Sequence, residues 1–254
     1  MVKKPVSPIF ENAIDSLVMG IRNYTDRELD SSNKWAILEV FHAVELFLKE
    51  RLFQEHRLLI YRHIDKPIGD DAQTVGLQET LTRFTNIGVA LPEKYVGILK
   101  DLQKHRNRIE HSHYKADPSH SHLVGQALQF IGFFVEEHLQ QDLETHLTTD
   151  VFKHVKELLI EYDLLIARAE GAMSKALEKV RYREQDLIDK AHCPECGNET
   201  VLIGLEEQPY CYFCEASIYG LSRCSYCAEF LPESDFLLDT GICRSCFDYK
   251  ISKD

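Results

Sequence analysis

All eight cysteines of this 254-residue chain lie beyond residue 192, in four C-x-x-C pairs. Cys193-Pro194-Glu195-Cys196 precedes Cys211-Tyr212-Phe213-Cys214 by fourteen residues, and Cys224-Ser225-Tyr226-Cys227 precedes Cys243-Arg244-Ser245-Cys246 by fifteen. A C-x-x-C turn offers two thiolates to one tetrahedral ion, and a second turn across a hairpin supplies the other two. The pattern predicts two zinc ions, each held by a sequential set of four cysteines. Iron would accept the same ligands. A cross-braced alternative joins the first pair to the third and the second to the fourth. Four protein ligands leave no open position, so the ions are structural. A module this small gains from its metals the folding free energy that its core cannot supply.

The second concentration of reactive side chains is Arg106-Asn107-Arg108-Ile109-Glu110-His111. On a helix, Arg106 follows Leu102 by four and precedes Ile109 by three, an inward position where a charge is costly unless paired or aimed at a site. Asn107 and His111 share a face, with Arg106 about 100° round from Asn107. One helix end thus gathers a guanidinium, an amide and an imidazole. A plainer reading has Arg106 paired with Glu39 or Glu45 in the interior, and His111 favoured by the helix dipole.

These side chains need a helical frame. Apolar periodicity predicts helices at 7–22 and 34–57, the second capped from Ser31-Ser32-Asn33 and apolar around most of its circumference. Its polar stripe is Glu39, His42, Glu45 and Lys49. Residues 64–75 read as a loop, 77–84 as a short helix, and Leu91-Pro92-Glu93 as the start of the helix carrying Arg106. Its inward stripe is Tyr95, Ile98, Leu99, Leu102, Arg106 and Ile109. A further helix runs from Asp117-Pro118 to about Leu147, and a long last one from Thr149 to Lys190. Short strand-like runs at 200–205 and 236–238 fit hairpins between the cysteine pairs. The expected fold is mainly α, with a helical domain at 1–147, a connector helix at 148–190 and tandem zinc ribbons at 191–254.

The stretch from Arg106 to His111 resembles the R-x4-6-H signature of HEPN domains, in the version with a polar residue after the arginine. The likeness extends over roughly residues 7–147, through the order of helices and through Lys34-Trp35-Ala36-Ile37-Leu38 and Glu45-Leu46-Phe47-Leu48-Lys49. The resemblance implies a HEPN-like bundle and a metal-independent endoribonuclease, usually a homodimer with motifs facing across the interface. In that setting His111 transfers protons for attack of a ribose 2′-hydroxyl on the adjacent phosphate. Arg106 stabilises the phosphoryl charge, Asn107 orients phosphate or imidazole, and Glu45 partners Arg106. Lys104 and Arg108 hold flanking phosphates of the RNA. His113 ends a second frame of correct spacing that starts at Arg108. Some toxin members carry a tyrosine two residues after the histidine, where antitoxin nucleotidyltransferases modify them. Here that position is His113, with Tyr114 one later, which departs from that mode of control.

Composition narrows the remaining choices. The net charge of −12 argues against binding nucleic acid over the whole surface. From Ala191 onward eleven acidic residues face four basic ones, whereas Lys100, Lys104, Arg106, Arg108 and Lys115 face only Asp101 and Glu110. Clustered cysteines suit a reducing cytosol; no export signal or membrane span is evident, so a cytoplasmic protein is expected. The leading expectation is an RNA-cleaving enzyme of toxin or phage-defence type, with an antitoxin or regulatory protein as a further partner. The alternative is a non-catalytic HEPN-like binding module whose acidic ribbons dock a protein, with Tyr210, Tyr212, Phe213 and Tyr226 available for the contact.

Overall fold

The computed structural model describes residues 6–26, 31–69, 71–111, 121–180, 185, 187–194, 196–237 and 240–251. The chain divides into two compact units, Met1–Tyr162 and Asp163–Asp254. The fold is mainly helical, with a cysteine-rich C-terminal region.

The first unit is built around a helical hairpin. Helix α1 (Pro8–Thr25) starts at Ser7, whose hydroxyl accepts from the Ile9 N–H at 3.0 Å and donates to the fully buried Glu50 of helix α2 (Ser32–Glu55). Phe10 meets Phe47 edge-on, with ring centroids 5.4 Å apart. Towards the other end, a Cβ added at Gly20 would lie 2.5 Å from Val40 Cγ2. The two helices therefore run antiparallel, and the missing side chain at Gly20 lets their backbones approach.

Helix α2 also packs against α3 (Leu77–Asn86), α4 (Glu93–His111) and α5 (Ser121–Glu137). This explains its broad apolar surface: Phe41, Val44, Phe47, Leu48 and Leu52 are buried within the protomer. Tyr95 of α4 stacks on Phe133 of α5 at 4.5 Å and meets Phe130 edge-on. Phe84 of α3 stacks on Phe134 at 6.0 Å. These rings fix α4 on the bundle.

Two helix ends differ from the periodicity, and the start expected at Asp117-Pro118 lies outside the described residues. Helix α5 ends at Glu137, and only a 3-10 turn, Leu143–His146, follows. The break is a left-handed residue, Gln140 (φ 56°), after which the Gln141 N–H returns to the Val135 carbonyl. Helix α6 (Thr149–Glu178) stops well short of Lys190. The Gln185 side-chain amide donates to the Leu177 and Val180 carbonyls at 2.9 and 3.1 Å, satisfying groups that a longer helix would have used. The start of α6 is no free connector either, because Val151 and Val155 are buried in the helical core, with Leu158 and Leu159 against it.

In the second unit, β1 (Asp189–Ala191) pairs antiparallel with β2 (Val201–Ile203), and β3 (Leu221–Arg223) with β4 (Phe230–Pro232). Part of the run expected at 236–238 also pairs antiparallel, through a bridge of Phe236 to Cys243 and a bond from the Leu237 N–H to the Ile242 carbonyl at 3.4 Å, while Leu238 lies outside the described residues. A last helix, α7, spans Arg244–Ile251. The small core centres on the first cysteine group: Ala191, Val201 and Ile218 are buried with Cys193, Cys196 and Cys211, and Leu221 and Phe230 pack against them. Among the described residues, no helix is long and apolar enough to cross a membrane.

Candidate metal centres and the end of helix α4

The hairpins bring the cysteines together in sequential sets. Cys193, Cys196, Cys211 and Cys214 form one group and Cys224, Cys227, Cys243 and Cys246 the other, with the sulfurs of each within 4.8 Å of one another. The cross-braced arrangement is not the one observed. A tetrahedral ion bound at about 2.3 Å by four sulfurs spaces them about 3.8 Å apart. The observed separations are 3.7 Å for Cys193–Cys214, 3.6 Å for Cys196–Cys211 and 4.0 Å for Cys227–Cys243. Both groups fit a four-thiolate metal ion.

The local backbone explains how. In three of the four pairs the residue after the second cysteine is left-handed: Gly197 (φ 71°), Glu215 (φ 59°) and Ala228 (φ 61°). Each returns its N–H to the carbonyl of the first cysteine, at 2.8, 2.8 and 2.9 Å. That tight turn points both sulfurs the same way. The fourth pair sits at the start of α7, where the Phe247 N–H bonds the Cys243 carbonyl at 3.0 Å.

The two centres differ in their surroundings. In the first, the Thr200 hydroxyl lies 3.0 Å from Cys211 Sγ, the Cys214 N–H donates to the same sulfur, and the Asn198 amide donates to Cys196 Sγ at 3.7 Å. Hydrogen bonds from the neighbouring thiols hold Cys211 well below the ordinary thiol range, whereas Cys196 is pushed above it by its cysteine neighbours. Four crowded thiols cannot all ionise without a compensating cation, which a divalent metal supplies. In the second centre Cys227 is exposed, and the described donors are backbone groups alone: the Cys243 and Tyr226 N–H groups bond Cys224 Sγ at 3.3 and 3.4 Å. Those bonds, the one from Cys243 first, lower Cys224 to about 6.

The end of α4 is rearranged relative to the sequence reading. The buried stripe is Tyr95, Leu99, Leu102, His105 and Ile109, so His105, 4 % exposed, takes the inward place expected of Arg106. Arg106 is half-buried. Its guanidinium pairs with Glu110 at 2.8 Å and donates to Asn107 Oδ1 at 3.2 Å. Glu45, half-buried on α2, has no ion pair with it; Glu110, one turn along the same helix, takes that role.

His111 is exposed at the last position of α4, one turn beyond Asn107. Lys104 and Arg108 are also exposed. At 100° per residue, Lys104, Asn107, Arg108 and His111 span a sector of about 100°, while Arg106 lies about 140° round from His111. Asn107 sits between them. His113 lies outside the described residues.

No family model, no curated protein and no solved structure matches this chain. The sequence reading missed Glu110, although its i,i+4 spacing from Arg106 was visible, and missed Thr200 and Asn198, whose place between the cysteine turns was the available signal.

Proposed function

We propose that the end of α4 is the reactive centre of a metal-independent endoribonuclease of the HEPN kind, and that the two cysteine groups hold structural zinc. The observation that carries the reading is the solvent-facing sector of Lys104, Asn107, Arg108 and His111, with the Arg106 guanidinium fastened to Asn107. Lys104 and Arg108 attract the phosphodiester backbone. His111 removes the proton from a ribose 2′-hydroxyl, which attacks the adjacent phosphorus; the bond to the 5′-oxygen of the next nucleotide breaks, and that oxygen leaves as a hydroxyl by taking a proton from the imidazolium so formed. Arg106 meets the charge that grows on the phosphoryl oxygens. In doing so it exchanges Glu110 for phosphate, a small cost, since an i,i+4 pair on a helix is worth about 0.3–0.5 kcal/mol.

Because Arg106 and His111 point apart around one helix, the HEPN arrangement of two facing motifs supplies each substrate with both groups. Homodimerisation is taken from that resemblance, since most of the apolar girth of α2, Trp35 excepted, is used inside the protomer. Zinc is the metal of choice for four thiolates in a tetrahedral, non-catalytic site. A toxin or defence role, with a protein that silences the enzyme, follows from the same resemblance.

The test is cleavage of single-stranded RNA without added divalent ions, using zinc-loaded protein. His111→Ala is expected to lower the rate about 10²–10⁴-fold, and Arg106→Ala about 10²–10³-fold. Cleavage that survives both substitutions overturns the assignment.

A further inference from the structure

Within the second unit, the last turns of α6 and the first cysteine hairpin form a groove of about 400 Å³. Ala172 and Ala176 line it from the helix, and side chains that small leave the space open. Lys175 and Lys179, one turn apart and both exposed, stand beside them. The hairpin contributes Tyr210 and Tyr212, whose ring centroids are 4.4 Å apart with planes 35° from parallel.

These tyrosines are a fixed platform. They flank Cys211, a fully buried member of the first metal group, and bridges of Tyr210 to Ser217 and of Cys211 to Val201 hold the backbone. Alternate residues of an extended segment project to the same side, so metal ligation of Cys211 and display of the two rings come from one local geometry. The cysteine module is acidic, yet the groove places two ammonium groups against a single carboxylate, Glu206. A ligand suited to it carries a flat π-system for the phenol rings and an anion for the lysines. The volume lies near the lower end of the range of about 300–1,000 Å³ typical of small-ligand pockets, enough for one base with its sugar and phosphate.

We propose that this groove binds a nucleotide, the base against Tyr210 and Tyr212 and the phosphate between Lys175 and Lys179. The same chemistry is offered by a free nucleotide and by one residue of a single-stranded RNA. The proposal stands on the groove alone and does not require α4 to be catalytic.

The experiment uses the full-length, zinc-loaded chain and two probes: AMP, followed by calorimetry, and a labelled octa-adenylate RNA, followed by fluorescence anisotropy over a salt series. Tyr210→Leu keeps bulk but removes the π-face, and is expected to weaken binding about tenfold. The pair Lys175→Ala and Lys179→Ala, on the helix surface, is expected to reduce the slope of log affinity against log salt for the RNA by about 0.7, the value for one lost phosphate contact, since both lysines address the same phosphate. Retention of two zinc ions per chain certifies that each variant is folded. Binding of AMP identifies a free-nucleotide site, and binding of the RNA alone identifies a strand site; either supports the groove. Failure of the wild type to bind either probe, or an affinity and slope indifferent to the lysine pair, overturns it. Cleavage of the same RNA is scored separately. Groove binding without cleavage removes only the ribonuclease reading, and cleavage with no groove effect removes only this one.

Discussion

The two metal centres should release their ions in order, the second before the first. Titration with a competing chelator, with zinc release read by a colorimetric indicator, is the perturbation that shows it. In the first centre two side chains, Thr200 and Asn198, hydrogen-bond the sulfurs, and three of the four cysteines are buried. In the second centre the described donors to sulfur are backbone groups, and Cys227 is open to solvent. Losing one such outer partner typically lowers metal affinity about 10–100-fold, which is about 1.4–2.7 kcal/mol. The first ion should therefore hold on through at least a tenfold higher chelator activity, giving two resolved steps of one zinc each. Cys224→Ser should abolish the early step and Cys193→Ser the late one. Thr200→Val, which keeps the shape but removes the hydroxyl, should move the late step towards the early one. Simultaneous release, or first release from the Cys193 group, would refute the link between these hydrogen bonds and retention.

Three further outcomes follow from particular contacts. Gly20→Ala drives a methyl group into Val40 and should destabilise the helical unit by about 1–3 kcal/mol in urea unfolding; adding Val40→Ala should recover part of the loss, and additive losses would contradict the close-approach argument. Burial first, and then the Arg51 charge, hold His138 below its ordinary value of 6.5, against a weaker opposing pull from Glu137. The unfolded chain then binds the extra proton, so this stability is present above that value and declines as pH falls below it. Thermal melting should fall less steeply from about pH 7 to about pH 5 in His138→Phe, and equal slopes would remove His138 as a cause. Ala228, left-handed at φ 61°, holds a conformation that costs an L-residue about 1–2 kcal/mol; Ala228→Gly should delay zinc loss from the second centre, and an unmoved chelator midpoint would contradict that.

The legible parts of this protein were those written locally. Four C-x-x-C turns carry their ligand geometry within a few residues, which is why the sequential metal groups were readable from spacing. The glycine after Cys196 even marked a left-handed turn that Glu215 and Ala228 adopt without that signal. Helices α1 and α4 followed their apolar periods and α2 was marked by its long apolar run, but period alone could not rank His105 against Arg106 at the same stripe. Both lie within a residue of the ideal inward direction; the compact imidazole is buried and the long arginine bends out to Glu110. Nor could the sequence stop α6 at Glu178. That end coincides with the Gln185 side chain bonding the Leu177 carbonyl and with β1 pairing to β2, contacts between residues separated in sequence that leave no periodic trace.

The central claim concerns the chemistry at α4, and the ends of the cut RNA test it most directly. Mass spectrometry of fragments made by zinc-loaded protein in divalent-free buffer should show 2′,3′-cyclic phosphate on one side of each cut and a 5′-hydroxyl on the other. The same fragments should be missing with His111→Ala. Fragments ending in 3′-hydroxyl and 5′-phosphate, or cyclic-phosphate ends that persist at the wild-type rate in His111→Ala, would contradict the account.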